Sequence, residues 1–141
     1  MKTSTVRCIF PGRFTSLEKL SEFVMEAAQR SGLDESEVYA VQLAVDEAAT
    51  NIIEYAYGGE NRGDIDCGCE ITGNGLCIIL RDRGRPFNPE GVAAPLLNAT
   101  LEEIKPRGLG LFFMRKMMDE VKFEFTPSNG NVLTMIKRKK R

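Results

Sequence analysis

The chain has 141 residues, 43% hydrophobic and 28% charged, with a formal net charge of -1 at neutral pH. That length suits one domain spanning residues 1–141, which buries about two thirds of its unfolded surface and needs no staple. Near-neutral charge excludes a general electrostatic pull on nucleic acid or membrane, and the absence of histidine excludes a Ser-His-Asp triad, a histidine metal cluster and a histidine phospho-acceptor within the chain. The opening residues hold no apolar run long enough for a signal peptide, and no later window resembles a membrane span, so a cytoplasmic location is expected.

Val6 to Phe10 reads as a first strand, ended by the turn pair Pro11-Gly12. Ser16 can cap a helix whose apolar positions are Leu17, Leu20, Val24, Ala27 and Ala28, with Gly32 placed to end it in a left-handed conformation. Asp34 followed by Glu37 forms a capping-box pattern, so a second helix is expected from Glu35 to about Tyr57, stopped by Gly58-Gly59. Its apolar stripe runs through Val38, Val41, Val45, Ala48, Ala49, Ile52 and Ala56. Glu47 and Asn51 fall outside that stripe. Four residues advance a helix by about 400°, which sets this carboxylate and carboxamide one turn apart on one face, within reach of the same small ligand. Taken alone, such a pair is more often a solvated face than a site.

Asp64 to Thr72 alternates as a half-buried strand with Ile65, Cys67, Cys69 and Ile71 on one side. The four cysteines lack Cys-x-x-Cys spacing and read as reduced thiols packed as small hydrophobes. Gly73-Asn74-Gly75 marks a hairpin, and Leu76 to Leu80 is apolar enough to be a central strand. Asp82 to Pro89 is loop by composition, with Asp82 placed to accept hydrogen bonds at the strand's end. Residues 90–106 show no period, a feature of segments that act as lids. They lead into Arg107-Gly108-Leu109-Gly110-Leu111, where glycines feeding a helix leave backbone amides for a phosphate. A P-loop and a full dinucleotide-binding glycine motif are both absent. Val121 to Phe125 and Val132 to Ile136 complete five strands, and the basic run Lys137 to Arg141 reads as a solvated tail.

Three features thus stand in a fixed order: Glu47-x-x-x-Asn51 on a helix, Asp82-x-Gly84-x-Pro86-Phe87 after a central strand, and Gly108-Leu109-Gly110-Leu111 opening a later helix. This order resembles the ATP-binding domain shared by histidine kinases, type II topoisomerases, a class of heat-shock chaperones and the MutL-type repair proteins. More narrowly, Asp46 to Tyr57 and Asp82 to Pro89 resemble the bacterial anti-sigma factor and serine-protein kinase branch, over nearly the whole chain. The resemblance implies an α/β fold, a layered sandwich of the histidine kinase-like ATPase (Bergerat) type, with a mixed sheet of about five strands packed by about three helices.

It also implies ATP and Mg²⁺ as cofactors. Carried over by motif, Asn51 would hold Mg²⁺ and Glu47 would be the general base that takes the proton of an attacking serine hydroxyl. Asp82 would accept from the adenine amino group, with Gly84 letting backbone lie against the base. Gly108 and Gly110 would approach the phosphates, Arg107 would add positive charge there, and Phe87, Leu109 and Leu111 fall in the same nucleotide-binding motifs. Relatives commonly carry Gly-Thr, whose threonine helps hold the adenine, where this chain has Gly130-Asn131; Asn131 departs from that pattern and keeps hydrogen-bonding capacity at the implied nucleotide site. The implied function is an ATP-dependent serine/threonine-protein kinase and anti-sigma factor. It would phosphorylate a STAS-type anti-anti-sigma partner and sequester a sigma factor, as a homodimer, without touching nucleic acid or membrane. The alternative is a nucleotide-gated binding module without productive turnover.

Overall fold

The computed structural model describes residues 3–87 and 106–140, except for the side chains of residues 106–109. The expected lid at residues 90–106 lies outside the described residues as far as residue 105, as do the side chains of Arg107 and Leu109.

Strand β1 (Ser4–Pro11) leads through a 3-10 turn into helix α1 (Leu17–Arg30), followed by α2 (Glu35–Asn51). Strands β2 (Asp64–Thr72) and β3 (Gly75–Asp82) form a hairpin, then come α3 (Pro106–Met117), β4 (Glu120–Thr126) and β5 (Gly130–Arg138). The expected elements are all present, with one local difference at a helix start. Ser16 makes no side-chain cap, because the 3-10 turn already leads the chain into α1. The Asp34–Glu37 capping box forms in full, Asp34 accepting from the Glu37 amide at 2.8 Å and Glu37 from the Asp34 amide at 2.8 Å.

The sheet order is β1-β2-β3-β5-β4, and all four pairings are antiparallel, where a mixed sheet is expected from the resemblance. The reason lies in the α3 crossover. It returns β4 parallel to β3, but the Pro127–Asn129 turn folds β5 back between them, so the two parallel strands never become neighbours.

Alternation then decides the two faces. Ile65, Cys67, Cys69, Ile71, Leu76, Ile78, Leu80, Leu133 and Met135 point to one side and are buried under the helices, with α2 packed between α1 and α3. Cys67 and Cys69 are free and buried, as expected. Hydrogen bonding with the Cys69 thiol, then burial, holds the Cys67 thiol far above its ordinary range, so it stays protonated. The basic end of the chain is exposed but not frayed up to residue 140: the Lys139 amide donates to Asn74 C=O at 2.8 Å and the Lys140 amide to Glu37 Oε2 at 2.9 Å. No helix among the described residues is long and apolar enough to cross a membrane.

Candidate functional site

Helix α2 does not run on to Tyr57. It is α-helical through Asn51, and Ile52–Ala56 then widen into a π-helical turn closed by the Tyr57 amide on Ile52 C=O at 2.9 Å. A π turn inserts an extra residue per turn and is found most often beside functional sites. Here it leaves the Tyr55 and Ala56 carbonyls to the loop that follows β3. The Arg85 guanidinium donates to Tyr55 C=O through Nε at 3.2 Å and Nη2 at 2.7 Å, and the Arg85 amide donates to Ala56 C=O at 2.8 Å. The Tyr57 hydroxyl completes the seam, donating to Asp64 C=O at 2.6 Å and accepting from the Arg83 amide at 2.9 Å.

Between this seam, α3 and the sheet lies a cleft of about 240 Å³. Ala48, Asn51, Ile52 and Tyr55 form its helical wall, Met114 comes from α3, and Phe123 and Leu133 close the sheet side. Phe87 packs on Phe123 with ring centroids 4.7 Å apart and lines the same cleft. Its polar end is Asp82, only 6% exposed. Asp82 Oδ1 accepts from the Gly84 amide and from Asn131 Nδ2, each at 2.9 Å, and no described group donates to Oδ2. Burial pushes this carboxyl above the ordinary carboxylate range, against the two hydrogen bonds that favour its charged form.

The structure brings Glu47, Asn51 and Gly110 together at the cleft's mouth. Glu47 is exposed, one helical turn before the half-buried Asn51, and neither side chain has a hydrogen-bond partner among the described residues. A Cβ on Gly110 would stand 2.7 Å from Glu47 Oε2 and 3.6 Å from Asn51 Nδ2. Asp46 next to them is pushed above its ordinary range, chiefly by burial and secondarily by the Glu47 carboxylate. Among the described residues no three His, Cys, Asp or Glu side chains form a metal cage. A hard cation held here would therefore take the Asn51 carboxamide oxygen as its protein ligand and its remaining oxygens from phosphate and water, a donor set that suits Mg²⁺.

Four expected roles shift. Helix α3 begins at Pro106, whose fixed φ suits the first helical position, so both glycines lie inside the helix instead of before it. Gly110 is its fifth residue, past the unbonded first turn, and what it provides is close approach to Glu47 rather than a free amide. Gly84 lies against protein, not open cleft: a Cβ there would meet the backbone carbonyl and Cβ of Ala56. Asn131 has its polar atoms engaged by the protein itself, through Asp82, the Arg85 carbonyl at 2.8 Å and the Phe87 amide at 3.0 Å. Leu111 is 5% exposed and joins the core. Arg85 and Tyr57, the loop's anchors, were not singled out from sequence. The only signal for them is an arginine on each side of Gly84.

Comparison with known proteins agrees with this geometry. Residues 10–137 match the family model described as the histidine kinase-like ATPase domain. The chain is 30% identical over 101 residues to the serine-protein kinase RsbW of Bacillus velezensis, covering 69% of this chain and 63% of that protein. It is 34% identical over 119 residues to the anti-sigma F factor of Clostridium novyi, covering 83% of each. In fold it superposes on the RsbU and RsbW domains of a Mycobacterium tuberculosis protein with a TM-score of 0.66 at 16% identity, over 96% of this chain and 32% of that one. A buried aspartate at the end of a central strand, an Asn one turn beyond an exposed Glu, and a matching model over nearly the whole chain place this protein in the histidine kinase-like ATPase family.

Proposed function

We propose that the protein is an ATP-dependent serine/threonine-protein kinase and anti-sigma factor, which phosphorylates a STAS-type anti-anti-sigma protein and sequesters a sigma factor when that partner is modified. The names of its relatives support both halves. The observation that carries the kinase reading is the placement of Glu47: an exposed carboxylate with no hydrogen-bond partner among the described residues, one turn from Asn51 and against Gly110 of α3.

In this reading adenine lies in the apolar cleft with its amino group on Asp82 Oδ2, beside Phe87. The phosphates extend toward Asn51 and the first turn of α3, where the amides of Arg107 and Gly108 and the Arg107 charge meet them. Mg²⁺, when bound, neutralises the transferring phosphoryl group. Asn51 orients that end of the nucleotide through its carboxamide oxygen. Glu47 takes the proton from a serine hydroxyl of the partner, and its exposure lets that hydroxyl arrive from a second protein. Two copies of the chain form the working unit.

The test is transfer of radiolabelled phosphate from Mg-ATP to a cognate STAS protein. Wild type transfers; Glu47→Ala binds ATP with unchanged affinity and transfers nothing; Asn51→Ala loses Mg-dependent binding. Wild-type protein that binds ATP and a STAS partner but yields no phosphoserine or phosphothreonine would overturn the kinase reading and leave a nucleotide-gated binding module.

A further inference from the structure

Asn131 stands at the head of β5, 8% exposed, and its side chain reaches three separate points. Nδ2 donates to Asp82 Oδ1 at 2.9 Å and to Arg85 C=O at 2.8 Å, while Oδ1 accepts from the Phe87 amide at 3.0 Å. A carboxamide has two N–H donors, and both are spent on protein. None remains for a nucleotide base.

The consequence falls on Asp82. A free carboxylate presents two equivalent oxygens and turns readily about its last torsion. Here Asn131 and the Gly84 amide both hold Oδ1, so Oδ2 is the oxygen to which no described group donates, on a side chain that lines the cleft. The same carboxamide ties Arg85 and Phe87, so one side chain fixes the acceptor and the loop that carries the apolar wall beside it. A single hydroxyl at this position has one donor hydrogen, and could serve Asp82 or the Arg85 carbonyl but not both.

We propose that Asn131 is a positioning residue for base selection: it pegs one Asp82 oxygen so that the other is presented to the exocyclic amino group of a 6-aminopurine, with no donor of its own left for the base. The inference rests on the cleft being the nucleotide site. It makes the preference for a 6-amino group depend on a residue that lines the cleft and acts through Asp82.

The test compares affinities for ATP and for purine riboside triphosphate, which lacks only the 6-amino group, by titration calorimetry on wild type, Asn131→Leu and Asn131→Thr. Wild type favours ATP by about tenfold or more, as a hydrogen bond to a charged acceptor requires. In Asn131→Leu the ratio falls to within about twofold, and in Asn131→Thr it lies between. A merely structural role would lower the melting temperature and both affinities together and leave the ratio at its wild-type value, which would overturn the proposal. If Asn131→Leu does not fold, Asn131→Thr decides, an unchanged ratio again counting against it. Wild type binding neither nucleotide would defeat the reading of the cleft, whereas wild type binding both equally would defeat base selection by Asp82 alone.

Discussion

Gly84→Ala separates two explanations of one glycine. Gly84 is not among the residues with positive φ, so alanine meets no backbone strain there. The obstacle is space. Its Cβ would lie 2.6 Å from Ala56 Cβ and closer still to the Ala56 carbonyl, where carbon atoms settle at about 3.5–4.0 Å. The loop must retreat by roughly 1 Å from the π turn, which strains the Arg85 amide bond to Ala56 C=O and the guanidinium bonds to Tyr55 C=O. Overpacking of this kind costs about 1–3 kcal/mol, and one lost hydrogen bond adds about 1 kcal/mol. A domain of this size loses ~3–4 °C per kcal/mol, so the melting temperature should fall by roughly 6–16 °C. ATP affinity should fall with it, since the displaced Gly84 amide is one of the two donors that hold Asp82 Oδ1. Ala56→Gly in the same background should restore little, because the clash with the carbonyl is with backbone. Thermal melts of the nucleotide-free protein beside ATP titrations check this. An unchanged melting temperature with ATP binding lost would show that the nucleotide, not Ala56, requires this glycine, and would refute the argument.

Gly110→Ala should behave oppositely. Its Cβ meets the movable end of Glu47, and alanine favours a helix interior by about 1 kcal/mol over glycine, so stability should hold or rise while phosphotransfer falls, as parallel melts and transfer assays would reveal. Asp82→Asn should stabilise the protein and weaken ATP binding. Burial raises the folded-state pKa of Asp82, so the fold disfavours its charged form, and wild-type stability declines as pH climbs from the ordinary carboxylate range through that raised value. D82N lacks this slope: its amide oxygen can still accept from Asn131 and Gly84, and it should melt above wild type at neutral pH, with the difference closing as pH falls. Its NH₂ would face the adenine amino group donor to donor, costing roughly 10- to 150-fold in affinity. Melts between pH 4 and 8 with calorimetry at pH 7 would test both signs.

How much of this was readable in the residues varies with the range of the interactions. Helix α1, the Asp34–Glu37 box and the β2–β3 hairpin are set by neighbours in sequence, and periodicity, capping and turn chemistry predict them. Ile52 to Ala56 carry the same helical spacing as the turns before them. Nothing local marks the π turn, whose carbonyls are satisfied by Arg85, about thirty residues away. The antiparallel sheet is likewise decided by where β5 inserts, a choice made between strands. Asn131 was legible as a polar residue at a strand start, but its three partners lie more than forty residues off in sequence, and only the fold counts its donors.

Gly84 and Gly110 carry the same sequence signal, a glycine where backbone passes close to something, and the resemblance assigns both to the nucleotide. Their neighbours differ. Gly84 seats the post-β3 loop on the π turn that follows α2, and through that loop it supports Asp82 and Phe87 inside the cleft. Gly110 seats α3 against Glu47 and Asn51 on α2, at the cleft's mouth. Each glycine therefore allows two pieces of protein to close on α2, and the cleft is the space left between the two closures. The two closures meet one continuous helical segment, at Ala56 and at Glu47 and Asn51, so a substitution at either glycine acts on ATP through the protein groups it displaces.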